Sequence, residues 1–277
     1  MKKIIIFGFP HCGTTILRAI IGHIPEVYEI IGETSKININ ESEIIKNNPE
    51  KKYILCKIPH IDKYFYTSRY NDYIKIFILR NPLWVFSSIN KRFEGRKIFD
   101  NHNIPEYIKT CKLFIDKQNN KDDNSYFIKY EDLFNNNYQK LKDIFDKIGF
   151  NYTDDIFDNS KYTNYSHQFI NDKNKNLSQE EKELIKKKVY SDKEHEHFRN
   201  MQINQPFINN NNIDKISLTE LQINELMNDK YILELYPDIL QLYQDYKNLK
   251  EQEKLKEEEK LKEKEKLKEE ENKKEKV

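Results

Sequence analysis

The stretch Gly8-Phe-Pro-His-Cys-Gly13-Thr14-Thr15 has the residue types of a loop that holds an anion. The chain contains six glycines, and two of them bracket this stretch. It follows Lys3-Ile-Ile-Ile-Phe7, a short β-branched run suited to a strand buried on both faces. It precedes residues 14–22, which are apolar almost all round. A strand that turns tightly into a helix aims several backbone N–H groups at one point, where the helix dipole favours negative charge. The plainer alternative is an ordinary strand-to-helix turn. The glycine spacing is that of a Walker A loop, but Thr14 stands where that loop has its Lys. The apolar run at 74–79 ends in Arg80 and not in a carboxylate suited to magnesium. A phosphate loop lacking both parts argues against ordinary ATP chemistry.

Arg80-Asn-Pro82 closes that second run. Pro82 suits the first position of a helix, so Ser88 and Arg92 fall one turn apart on one face. Two guanidinium groups and a hydroxyl converging near a helix start suit a phosphate monoester. The alternative is a surface Arg pair with an unrelated Ser.

The elements that must position these groups alternate. Strand candidates are 3–7, 53–56, 74–79 and 126–130, separated by helical patterns at 14–22, 82–93 and 131–148. The last carries Phe134, Tyr138, Leu141, Phe145 and Ile148 as one apolar stripe. Such alternation implies right-handed crossovers and an α/β fold with a central, mostly parallel sheet. Beyond Phe150 strand signals stop. Ser178-Gln-Glu-Glu181 is a capping box that opens a helix to about Tyr190. Residues 208–213, Ile, four Asn and Ile, read as a polar linker. Helices return from Ser217, with a fresh start near Pro237. The expected organisation is a domain over 1–205, a helical extension over 206–249 and a Lys/Glu-rich tail over 250–277.

The tail holds 11 Lys and 11 Glu, with leucines at 249, 255, 261 and 267. A six-residue period turns each leucine by about 240° from the last, so it builds no heptad seam. A solvated helix or disorder is expected ahead of a coiled coil with a helical partner. Across the chain 47 Lys+Arg balance 46 Asp+Glu, which gives no electrostatic argument for nucleic acid. Three scattered cysteines suit neither a disulfide framework nor a structural zinc site. His195-Glu-His197 lacks a third ligand at suitable spacing, so no metal is expected. No apolar run is long enough for a signal h-region or a membrane helix, which leads us to expect a soluble, intracellular, cytoplasmic chain.

The three motifs together resemble those of sulfotransferases that use 3′-phosphoadenosine 5′-phosphosulfate (PAPS). Pro10-His-Cys-Gly-Thr-Thr15 resembles the signature for the 5′-phosphosulfate, and Arg80-Asn-Pro with Ser88 the signature for the 3′-phosphate. Phe127-Ile-Lys-Tyr130-Glu-Asp-Leu133 resembles a third element of that family. The resemblance spans roughly residues 3–150. It is most similar to the tyrosylprotein branch, through Gly13-Thr-Thr-Ile-Leu-Arg18-Ala19, His23-Ile-Pro25, Gly32-Glu33-Thr34 and Lys57-Ile-Pro59.

The resemblance implies a P-loop-type three-layer fold and sulfuryl transfer from PAPS to a hydroxyl acceptor. The acceptor would be protein tyrosine, a carbohydrate or a small molecule, and adenosine 3′,5′-bisphosphate (PAP) would be the product. No prosthetic group is implied. Glu33 maps onto the catalytic base and Lys57 onto the electrostatic partner of the transferring group. His11, Cys12, Gly13, Thr14, Thr15, Arg80, Ser88, Arg92 and Tyr130 map onto the nucleotide site. His60 competes for the base role, since small-molecule sulfotransferases place a His just after the equivalent Lys. Many relatives carry Arg at the position of His11 and Ser or Gly at that of Cys12. A protonated His11 would replace part of that charge, and Cys12, at a helix N-terminus, is expected to have an acidic thiol. The alternatives are a P-loop small-molecule kinase using ATP-magnesium and a non-catalytic nucleotide-binding relative.

Overall fold

The computed structural model describes residues 1–30, 41–59, 70–92, 102–158, 209 and 211–274. Five strands among them form one sheet: β1 (Lys2–Gly8), β2 (Val27–Glu29), β3 (Tyr53–Ile58), β4 (Ile74–Leu79) and β5 (Ser125–Lys129). Their order is β2-β3-β1-β4-β5 and every pair is parallel. Ile4 to Phe7 are fully buried, as expected for a central strand covered on both faces.

Alternation along each strand feeds two cores, which makes the fold three-layered. On one face Ile4, Ile6, Leu55, Ile76 and Ile78 meet α1 (Thr14–Gly22). On the other, Ile5, Phe7, Cys56, Phe77 and Leu79 meet the helix that follows β4. Among the described residues, the further helices between β1 and β5 are α2 (Glu41–Asn47), α3 (Pro82–Arg92) and α4 (Ile104–Asn119). Ile216, Leu226, Ile232 and Ile239 complete the second core. They come from α7 (Glu220–Met227), α8 (Lys230–Leu235) and their flanks.

The stripe over 131–148 is not one helix. It divides into α5 (Tyr130–Leu133) and α6 (Gln139–Ile148), between which Asn136, Asn137 and Tyr138 have φ of 48°, 54° and 62°. Asparagine tolerates the left-handed region better than most residues, so the three-Asn run breaks the helix while the apolar face continues. The expected helix from Ser178, together with His195 and His197, lies outside the described residues.

Helix α9 (Ile239–Lys274) carries the tail. Leu242 and Tyr246 still pack on the core, whereas Leu255 and Leu261 are 55% and 60% exposed. Truncation after Leu249 should therefore change stability by less than about 0.5 kcal/mol, read as an unchanged urea midpoint. A large drop in that midpoint would show that the tail is part of the fold. No helix among the described residues is long and apolar enough to cross a membrane.

Candidate active site

The sheet reverses its order of growth at β1, with β3 on one side and β4 on the other. Ligands of open α/β sheets bind beyond the strand ends at such a switch point. β1 runs out at Gly8, and the Cys12 N–H donates to the Phe9 carbonyl at 3.1 Å to turn the chain. His11 and Gly13 have φ of 67° and 90°. Left-handed residues in so short a turn face successive backbone N–H groups to one side. Gly13 is the N-cap of α1 and supplies no side chain, and the first turn carries no acidic residue. The positive end of the helix, about half a unit charge, meets no carboxylate of its own turn.

Gly13 is required here for space as well as for its φ. A Cβ would lie 2.5 Å from Cδ2 of the Tyr130 ring. Tyr130 is itself fully buried, and the Arg80 guanidinium lies over its ring at 4.3 Å. The ring thus packs against both the loop and the arginine that follows β4, whose Nη1 also reaches the His11 carbonyl at 3.5 Å. This places Tyr130 beneath the loop as a support.

Lys57 approaches from the other neighbouring strand. Pairing of Ile6 with Lys57 carries it to the level of the loop. Its Nζ donates to Thr15 Oγ1 at 2.8 Å, and the residue is only 2% exposed. A cation so deeply placed beside a helix N-terminus would strongly reinforce an anion site.

His11 Nδ1 and Ser88 Oγ share a hydrogen bond of 2.7 Å, joining the loop to α3. His102 stands edge-on to His11, with ring centroids 6.2 Å apart. Arg92 ends α3, one turn beyond Ser88. The described part of the site thus brings together His11, Gly13, Thr15, Lys57, Ser88, Arg80 and Tyr130. Glu33 and His60 lie outside the described residues.

The run taken for a polar linker has a different role. Asn211 Oδ1 accepts from Arg80 Nε and Nη2 at 2.9 and 2.7 Å. Asn211 Nδ2 donates to Glu131 Oε1 at 3.0 Å, and the Asn81 N–H donates to the same oxygen at 2.8 Å. Trp84 Nε1 donates to the Asn212 carbonyl at 3.0 Å, and the Ser217 N–H donates to Ser87 Oγ at 2.8 Å. Residues 211–217 therefore lie across α3 as a strap. Sequence reading missed Asn211 because a run of asparagines carries the composition of a linker. Glu131 is visible in the sequence only as part of the Tyr130-Glu-Asp-Leu133 motif.

Cys12 also departs from expectation. Its thiol is fully buried, and desolvation pushes it up to about 12, outweighing the hydrogen bonds to the backbone of Arg80 and Phe9. Burial disfavours the thiolate, so Cys12 is a small core residue and not a reactive one.

The chain is similar to sulfotransferases of known structure. Against mouse sulfotransferase SULT7A1 complexed with PAP it is 18% identical, covers 60% of this chain and 65% of that one, and has a TM-score of 0.42. Against the sulfotransferase domain of the Synechococcus PCC 7002 olefin synthase the figures are 14%, 56%, 76% and 0.41. Against retinol dehydratase in complex with androsterone and inactive cofactor PAP they are 14%, 60%, 66% and 0.38. The chain thus spans just under two thirds of the length of the mouse enzyme. No family model matches it, and no curated protein does.

Proposed function

We propose that the chain transfers a sulfuryl group from PAPS to a hydroxyl acceptor. The observation that carries this reading is a helix N-terminus free of acidic residues in its first turn, flanked by a buried Lys57 from one neighbouring strand and by Arg80 from the other. The absence of a loop lysine favours it over an ATP site.

In this reading the loop N–H groups, Thr14 and Thr15 hold the donor's 5′-phosphosulfate. Arg80, Ser88 and Arg92 hold its 3′-phosphate, and Lys57 faces the group in transit. The S–O bond to the 5′-phosphate breaks as the acceptor oxygen bonds to sulfur. Negative charge grows on the leaving phosphate and on the sulfuryl oxygens, where fixed N–H dipoles and Lys57 stabilise it most. The acceptor's proton passes to Glu33, with His60 as the competing base. PAP leaves with the electron pair. His11, with Ser88 as its neighbour, takes the position where many sulfotransferases carry an Arg. Tyr130 and Cys12 support the loop from within.

Thermal unfolding with three nucleotides tests the reading. PAP at about 100 times its Kd should add roughly 2.7 kcal/mol of stability, and ATP-magnesium at the same concentration should add far less. Arg80→Ala should weaken PAP by about 1.5–3 kcal/mol, the scale of a charged hydrogen bond, and leave adenosine 5′-phosphate almost unchanged. Stabilisation by ATP-magnesium alone would replace this reading with a kinase.

A further inference from the structure

Arg80 and Glu131 are neighbours that do not pair directly. Glu131 Oε1 accepts from the Asn81 N–H and from Asn211 Nδ2. Its second oxygen, Oε2, is buried and meets no hydrogen-bond donor among the described residues. Burial pushes this carboxyl above its usual range, while the hydrogen bonds and the Arg80 charge pull the other way. A guanidinium would be its natural partner, since the fork of an arginine matches both carboxylate oxygens. The Nε–Nη2 edge of Arg80, which would make that fork, is filled by Asn211 Oδ1 at 2.9 and 2.7 Å. The Nη1 side lies 3.5 Å from the His11 carbonyl, towards the loop.

We infer that Asn211 is a positioning residue that insulates Arg80 from Glu131, so that the arginine keeps its charge for a phosphate group of the ligand. The inference rests on reading Arg80 as a contact to the donor's 3′-phosphate. An amide suits the task because it offers an acceptor to one neighbour and a donor to the other. It carries no charge, so it fixes the guanidinium without cancelling it. The ring of Tyr130 holds the guanidinium plane from one face, which leaves rotation about the long side chain as the freedom that Asn211 removes. Without the amide, Arg80 would swing to the bare Oε2 and form a buried ion pair. A ligand phosphate would then have to compete with that carboxylate.

The test measures dissociation constants for PAP and adenosine 5′-phosphate in wild type, Asn211→Ala, Glu131→Gln and the double variant. Asn211→Ala should weaken PAP about tenfold or more, the scale of losing a charged contact, with less than a threefold change for the monophosphate. Adding Glu131→Gln to Asn211→Ala should restore most of the loss, because the competing charge is gone. Rescue also separates this role from a structural one, since a packing defect would deepen in the double variant. Wild-type preference for PAP that survives Asn211→Ala overturns the inference alone. Equal wild-type affinity for both nucleotides overturns the reading of Arg80 and the inference with it.

Discussion

Glu33→Gln should leave PAPS affinity unchanged and lower kcat by about 10²–10⁴-fold, the range for removing a well-placed general base. Glutamine keeps the shape of the side chain and its acceptor oxygen but cannot take the proton of the attacking hydroxyl. A group that acts only in the chemical step lowers kcat without weakening donor binding. His60→Ala in parallel decides between the two bases. If the carboxylate is the base, the histidine variant should lose less than about tenfold. If the imidazole is the base, the order reverses. Activity should also fall on acidification at a higher pH in the second case, because imidazole takes up its proton before a carboxylate does. Near-wild-type turnover in Glu33→Gln removes that residue from the mechanism.

Arg18→Ala should be the most destabilising substitution among the residues discussed. Arg18 Nε lies 2.8 Å from Glu29 Oε1, with side chains 9% and 1% exposed. The pair ties α1 to the end of β2, and the chain runs on from there towards Glu33. Truncating the arginine removes one cation from beside a buried carboxylate, and breaking a buried pair typically costs about 3–5 kcal/mol. Differential scanning calorimetry should read this as a Tm lower by about 6–20 °C. The double variant Arg18→Met/Glu29→Leu should recover most of the loss, since an apolar pair of similar volume has no charge left to desolvate. A drop below about 1 kcal/mol in Arg18→Ala would mean that water reaches Glu29 freely.

How legible these features were follows from how far apart the cooperating residues lie. β1, β3, β4 and α1 announce themselves through nearly continuous apolar runs, because an element covered on both sides has little polar face, and the edge strand β5 shows a shorter one, Tyr126 to Ile128. The anion loop was visible for the same reason, as every part of it lies within eight residues. β2 was missed since three residues, Val27–Glu29, carry no pattern of their own. They become a strand only by pairing with Tyr53 to Leu55. Helix α4 was missed although its signals are local. Asn103 caps it by accepting from the Glu106 N–H at 2.9 Å, and a proline sits in its first turn. The Arg80–Asn211–Glu131 cluster joins the Arg80-Asn81 segment to two others, with Glu131 50 positions from Asn81 and Asn211 131 positions from Arg80, and no spacing rule reaches that far.

The place of β1 in the sheet has a kinetic consequence. It is the middle strand, yet both of its partners follow it in the chain: Lys2 pairs with Tyr53, and Ile4 with Ile74. During synthesis Ile4-Ile5-Ile6-Phe7 must wait, unpaired, until β3 and then β4 have left the ribosome. Pairings this distant are slow to form, and an apolar strand waiting for them is prone to join a second chain. Lys2 and Lys3 sit at the entrance of that strand, where charge opposes such stacking. Lys3 later finds Glu41 at 2.9 Å and Asp72 at 3.2 Å, two carboxylates that arrive only with the later segments. Its charge therefore guards the nascent strand first and fastens the finished sheet afterwards.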